Sequence, residues 1–214
     1  MFDMTVRVPK NETVNIAFSG GVDSLAMALL YKKMKYNVKL FHFNHGCEYS
    51  DDIEKGCWEL SEKLELPLQV LYIDVDIDDR KSIEDQWRRA RYRALYEAIG
   101  HNEYLLTAHH LNDSVETWIF SSLHGNGKII EPYQEIEYNG KLVKLVRPLL
   151  MSTKERIISF VDHHGFVPVP DECNKDMGLM RNYIRNVMME HVHVVNPGIE
   201  KVIRKKYLDK LNRF

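Results

Sequence analysis

Cysteine is scarce in this 214-residue chain: Cys47, Cys57 and Cys173 are an odd number with no C-x-x-C spacing. That speaks against a disulfide framework or a four-cysteine zinc site, and it predicts a reducing, cytoplasmic setting. No apolar run approaches the roughly 20 residues that span a bilayer, so no membrane contact is expected. The opening residues Met1-Phe2-Asp3-Met4-Thr5-Val6-Arg7 hold no cationic stretch followed by an apolar one, and no secretion signal is expected there. An excess of one charge is lacking too, because 29 basic residues face 31 acidic ones for a net charge of −2. Any contact with nucleic acid must then use a local basic patch. No repeat or low-complexity segment stands out. Two phosphate-binding signatures are missing as well: Gly-x4-Gly-Lys-Ser/Thr, which carries its own lysine, and Gly-x-Gly-x-x-Gly.

What is present suits a globular domain with a real core, at 44% hydrophobic and 28% charged residues. The chain is organised around Ser19-Gly20-Gly21-Val22-Asp23-Ser24, which links an apolar strand ending at Phe18 to a helix from Leu25. Glycine lets the backbone turn tightly, and the unpaired N–H groups of the helix start favour anions. Ser19 and Ser24 add hydroxyl donors, and the Asp23 carboxylate can hold Mg²⁺ beside phosphate oxygens. Further strands are expected at 38–43, 68–73 and 104–108, with helices at 50–64, 83–99 and from Asn112 or Asp113 to before Gly125. The alternation predicts an α/β fold, a doubly wound, mainly parallel sheet with helices on both faces. Ligands gather at the carboxyl ends of such strands, which puts 19–24, Asn44-His45-Gly46 and His109-His110 on one rim.

After Gly127 the rhythm changes. Tyr138-Asn139-Gly140-Lys141 signals a type I′ hairpin, and Ser152-Thr153-Lys154-Glu155 a capping box for a helix ending at Gly165. A helix over 179–191 and a last one over 199–214 follow. The last puts Ile199, Val202, Ile203, Leu208 and Leu211 near one face and basic residues elsewhere. The expected division is a catalytic domain at 1–195 and a basic amphipathic helix at 196–214.

Three constellations can carry chemistry. Arg88, Arg91 and Tyr92 share a helical side with Glu84, either as a charged surface or as phosphate ligands. Asp113 and Glu116 face one way on a first turn, where they suit the helix dipole or receive an ammonium group or a metal. Histidines 109 and 110 lack a third ligand at zinc spacing. Around 171–185, Arg181 and Arg185 lie four apart, and Cys173 is a candidate sulfur-transfer nucleophile or an ordinary loop residue.

The loop Ser19-Gly20-Gly21-Val22-Asp23-Ser24 resembles the pyrophosphate-binding loop of the N-type ATP pyrophosphatases, the PP-loop family. The ordered series Asn44-His45-Gly46, Glu84…Arg88…Arg91-Tyr92, Thr107-Ala108-His109-His110…Asp113…Glu116-Thr117, Val146-Arg147-Pro148-Leu149-Leu150, Asp171…Asn174 and Arg181-Asn182…Arg185 further resembles the catalytic domain of the tRNA(Ile) lysidine synthetases. The resemblance implies an adenine nucleotide α-hydrolase-like fold and a two-step reaction using ATP and Mg²⁺. The C2 oxygen of the wobble cytidine of CAU-anticodon tRNA(Ile) is adenylated, and free L-lysine then displaces AMP. It also implies that Ser19, Gly20, Gly21, Val22, Asp23, Ser24, His45 and Arg91 bind ATP and its pyrophosphate, with Mg²⁺ at Asp23. Asp23, Arg88, Asp113 and Glu116 would be catalytic, Asp113 and Glu116 holding the lysine. Arg181 and Arg185 would support the site or meet tRNA, and Arg204 and Lys205 are further candidate tRNA contacts.

Two residues depart from that pattern: Trp87 replaces a small residue, and Cys173 a serine. Members of the family carry further C-terminal domains that grip the tRNA body. Here a homodimer, a partner or the basic last helix would supply that grip. The competing expectations are another PP-loop adenylating enzyme, for thiolation or amidation, and an inactive RNA- or nucleotide-binding module.

Overall fold

A computed structural model describes residue 2 and residues 4–46, 49–72, 83–170 and 180–211, the side chains at 83, 84, 180 and 181 excepted. The acidic connector at 74–79, Cys47, Cys173 and the Arg181 side chain lie outside what is described. Six strands form one sheet in the order β3-β2-β1-β4-β6-β5. They are β1 (Thr13–Ala17), β2 (Asn37–Asn44), β3 (Leu68–Tyr72), β4 (Glu103–Leu106), β5 (Tyr133–Tyr138) and β6 (Lys141–Val146). All neighbours pair parallel except β5, which runs antiparallel to β6 along the edge. The hairpin forms as expected: Asn139 and Gly140 both have positive φ, 48° and 75°, between paired Tyr138 and Lys141.

Between the strands run α1 (Val22–Lys33), α2 (Ser50–Leu64), α3 (Ile83–Ala98) and α4 (Leu111–Leu123). The side chains of β2 alternate between two cores. Leu40 packs with α1 and α2 residues such as Leu29 and Leu60, while Phe41 packs with Leu95 of α3 and with Ile99 just beyond it. The chain therefore winds its helices onto opposite faces, and the strand order reverses between β1 and β4. A crevice opens there, outside the carboxyl ends of the strands. α1 is buried almost all round, as expected of a helix apolar on every side, because α5 (Lys154–His163) covers its outer surface.

Later elements depart further from expectation. The helix over 179–191 is three pieces: α6 (Met180–Tyr183), a π-helical turn (Ile184–Met188) and α7 (Met189–Val195). In α8 (Ile199–Leu211), Ile199, Ile203 and Tyr207 are buried against α4, while Val202 and Leu208 are exposed. A phenol inside the stripe moves the apolar face. The Tyr207 hydroxyl donates to Ile130 O (2.9 Å) and meets Ser114 Oγ, so its polar end is satisfied where the ring is buried.

Candidate active site

At the start of α1 the chain makes a turn that only one residue type fits. Gly20 has φ +77°, and a Cβ there would stand 2.8 Å from Val169 Cγ2 and 2.9 Å from Cys57 Sγ. Val169 N–H donates to Gly20 O (3.0 Å), and a Cβ on Gly56 would meet the same valine at 2.6 Å. Gly21 is not strained, with φ −66° as the N-cap of α1. The two serines hold the loop itself: Ser19 N–H donates to Ser24 Oγ (3.2 Å), whose hydroxyl donates to Gly21 O (3.1 Å). Val22 packs onto the core beneath. The N-cap makes no side-chain hydrogen bond, so N–H groups at the N-terminus of α1 stay available to an anion.

The lysine that this loop lacks comes from another helix. Lys154, the first residue of α5, places Nζ 2.8 and 2.7 Å from the two carboxylate oxygens of Asp23. The capping box expected around it does not form. Thr153 caps α5 without a side-chain bond, and Asn112 Oδ1 accepts from Lys154 N–H (3.0 Å). Sequence reading missed this cation, since no spacing rule joins residues 131 apart.

Beside Asp23 lies the acidic start of α4. His110 Nε2 is 3.6 Å from Asp23 Oδ1 and 3.5 Å from Asp113 Oδ2, and Asp113 Oδ2 accepts from the His110 backbone N–H (2.9 Å). Arg185, from the π-helical turn, closes the group. Its Nη2 lies 2.9 Å from both Asp113 Oδ1 and Glu116 Oε2, and its Nε lies 2.8 Å from Glu116 Oε1. Burial opposes ionisation of Asp113. The imidazoles of His110 and His109, the His110 N–H and the Arg185 guanidinium outweigh it and hold its pKa below the ordinary value. Burial likewise opposes charge on Arg185, but Glu116, Asp113 and Asp23 raise its pKa. Arg185, expected to support the site or to meet tRNA, turns onto two carboxylates of the site. Asp113 and Glu116 are thus more than helix-dipole partners; together they hold the Arg185 guanidinium. Among the described residues no His, Cys, Asp and Glu cluster has metal-binding geometry.

Ser19, Asp23, Ser24, His45, Arg91, Tyr92, His109 and Asp113 line one cavity. The carboxyl-end rim expected from sequence is therefore a single site. Burial, helped by Arg91 and His42, pushes the His45 pKa down to about 4, so the ring is neutral. Its Nδ1 is buried without a hydrogen-bond partner, and the ring packs on Phe43 (4.6 Å) and Trp87 (5.7 Å). Trp87 thus backs a ring that lines the cavity. On α3, Arg91 lines the cavity, whereas Arg88 lies over the Tyr92 ring (5.2 Å) in a neighbouring groove. Arg204 and Lys205 on α8 do not line the cavity. Cys57 is buried, and burial with Glu54 pushes its thiol up to about 12, which leaves it inert at neutral pH.

A doubly wound sheet whose switch-point crevice opens on this loop defines a nucleotide-binding protein of the α/β class. A family model described as a PP-loop domain matches residues 2–192, and the chain belongs to that family. It is similar to tRNA(Ile)-lysidine synthases: 32% identical over 202 residues to that of Coxiella burnetii, covering 91% of this chain and 44% of the relative. The corresponding protein of Persephonella marina is 30% identical over 205 residues, covering 90% of this chain and 44% of the relative. The chain thus spans less than half the length of these curated relatives. Among solved structures, the U34-tRNA thiolase NcsA of Methanococcus maripaludis shares the fold, with a TM-score of 0.70 at 18% identity. That match covers 96% of this chain and 73% of the other.

Proposed function

We propose that this chain is the catalytic part of a tRNA(Ile)-lysidine synthase. The observation that carries the reading is the carboxylate pair Asp113 and Glu116, which holds the Arg185 guanidinium beside the phosphate-binding loop. A site that gathers two carboxylates around one cation suits an amine substrate next to a bound nucleotide. ATP would lie with its phosphates on the N–H groups of 19–24 and its base side toward the unpartnered His45 Nδ1. The C2 oxygen of the wobble cytidine of CAU-anticodon tRNA(Ile) attacks the α-phosphorus, and pyrophosphate leaves. Lys154, Arg91 and Arg88 supply positive charge for that departure.

Lysine would then displace Arg185 from Asp113 and Glu116. One carboxylate takes a proton from the ammonium, the neutral amine attacks C2, and AMP departs. Asp23 would hold Mg²⁺. A single carboxylate together with phosphate oxygens suits that ion, provided Asp23 releases an oxygen from Lys154. The ion would offset phosphate charge; this chain's residues position the reactants. The reading places the enzyme in the cytoplasm, where tRNA, ATP and lysine meet. Among the described residues no helix is long and apolar enough to cross a membrane. Thiolation finds no support at Cys57, whose thiol is buried and protonated.

Incubation with ATP, Mg²⁺, labelled lysine and CAU-anticodon tRNA should put label into the RNA, and mass spectrometry of its nucleosides should show lysidine. Intact ATP–pyrophosphate exchange with no label in the RNA would sink the lysine assignment and leave the adenylating loop standing.

A further inference from the structure

Beside the cavity, α3 and the β5–β6 hairpin enclose a second groove, which shares only Arg88 with the chemistry above. Arg88, Arg89, Arg93 and Arg147 line it, and so do the rings of Tyr92, Tyr96 and Tyr138. The three rings form a ladder, with centroids 5.7 Å apart from Tyr92 to Tyr96 and 5.7 Å from Tyr96 to Tyr138. Burial, helped by the neighbouring Tyr92 and opposed by Arg147 and Arg88, pushes Tyr96 up to about 12, and a hydrogen bond to Glu97 raises Tyr138. Two carboxylates accompany the four arginines, Asp85 pairing with Arg89 (2.8 Å) and Glu97 facing Arg93 (3.9 Å). The groove is thus locally basic in a chain whose net charge is −2. Tyr92 lines both the groove and the cavity. A chain that lay along the ring ladder would reach the loop without leaving the protein surface.

We infer that this groove is the bed for single-stranded RNA on one side of the nucleotide that enters the cavity. The inference rests on the proposed tRNA substrate and names where that substrate's anticodon loop lies. Aromatic rings stack on unpaired bases whatever their sequence, and interleaved arginines take the phosphates between them. Neither α8 nor its Arg204 and Lys205 offers such a ladder. A peptide ligand would use the arginines but leave the rings without flat partners.

The test is binding of a CAU anticodon stem-loop to the whole chain, measured by fluorescence anisotropy across a salt series. The double variant Arg89→Ala/Arg93→Ala should bind at least tenfold more weakly. Its slope of log affinity against log salt should be shallower by about 1.4, the value for two lost single-strand phosphate contacts. ATP binding and Tm should stay as in the native chain. The control double variant Lys33→Ala/Lys63→Ala, on the opposite face of the sheet, removes the same charge and should leave RNA affinity within about twofold. A 4-thiouridine next to the anticodon should crosslink to α3 or the hairpin. Equal weakening by both double variants, no weakening by the groove variant, or crosslinks confined to α8 would overturn the groove and leave the lysidine reading intact. Failure of the native chain to bind the stem-loop at all would overturn both.

Discussion

Lys154 and Arg185 show how single side chains complete a site that the local motif leaves short of charge. Both carboxylate oxygens of Asp23 sit on Lys154 Nζ. Charge-assisted hydrogen bonds of this kind are worth about 1.5–3 kcal/mol. Lys154→Ala should therefore lower the rate of ATP–pyrophosphate exchange by about 10- to 100-fold, and Lys154→Arg should recover part of it. An unchanged exchange rate would remove Lys154 from phosphate chemistry. Arg185 gives a prediction in pH. Its guanidinium helps hold the Asp113 pKa below the ordinary 3.8, so its contribution to stability is present above that value. It is lost as pH falls through the depressed folded value. The stability gap between the native chain and Arg185→Gln should be widest above about pH 4 and close under stronger acid. Urea unfolding between pH 7 and pH 2 measures it. Neither residue could be placed from sequence, because each acts across a fold contact rather than along a helix turn. Asp23, Asp113 and Glu116 could, because a loop or the opening turns of one helix fix their positions.

The elements were legible where local rules are strong. Asn139-Gly140 demanded two positive φ values and received them, and the strand–helix alternation up to Leu123 set the parallel sheet. Legibility fell where a tertiary partner chooses the face. On α8 the spacing put Ile199, Val202, Ile203, Leu208 and Leu211 near one face. Contact with α4 selected the stripe that carries Tyr207 and left Val202 41% exposed. Ile203, fully buried, should cost about 2–4 kcal/mol on conversion to alanine. That corresponds to a Tm drop of roughly 4–16 °C in a chain of this size, whereas Val202→Ala should stay within about 0.5 kcal/mol. Equal effects at the two positions would place α8 the other way round. The π-helical turn was not legible at all, since no residue pattern in 184–188 distinguishes it from an ordinary turn.

For the molecule as a whole, the reversal of strand order between β1 and β4 turns remote motifs into one site. Burial lowers the pKa of both His42 and His45, the latter to about 4. The folded chain therefore prefers both rings neutral, while the unfolded chain takes up protons near 6.5. Stability should be fully present above about pH 6.5 and decline as pH falls toward about 4. His45→Gln should flatten that decline in chemical denaturation, and an unchanged slope would mean that the ring is protonated without penalty. One further consequence concerns inheritance. Val169 fills the space that a side chain at Gly20 or Gly56 would need, but only Gly20 also requires a left-handed backbone. Shrinking Val169 to alanine therefore makes room for alanine at position 56 and not at position 20. Among descendants of this sequence, positions 56 and 169 are free to drift as a linked pair, while position 20 stays fixed.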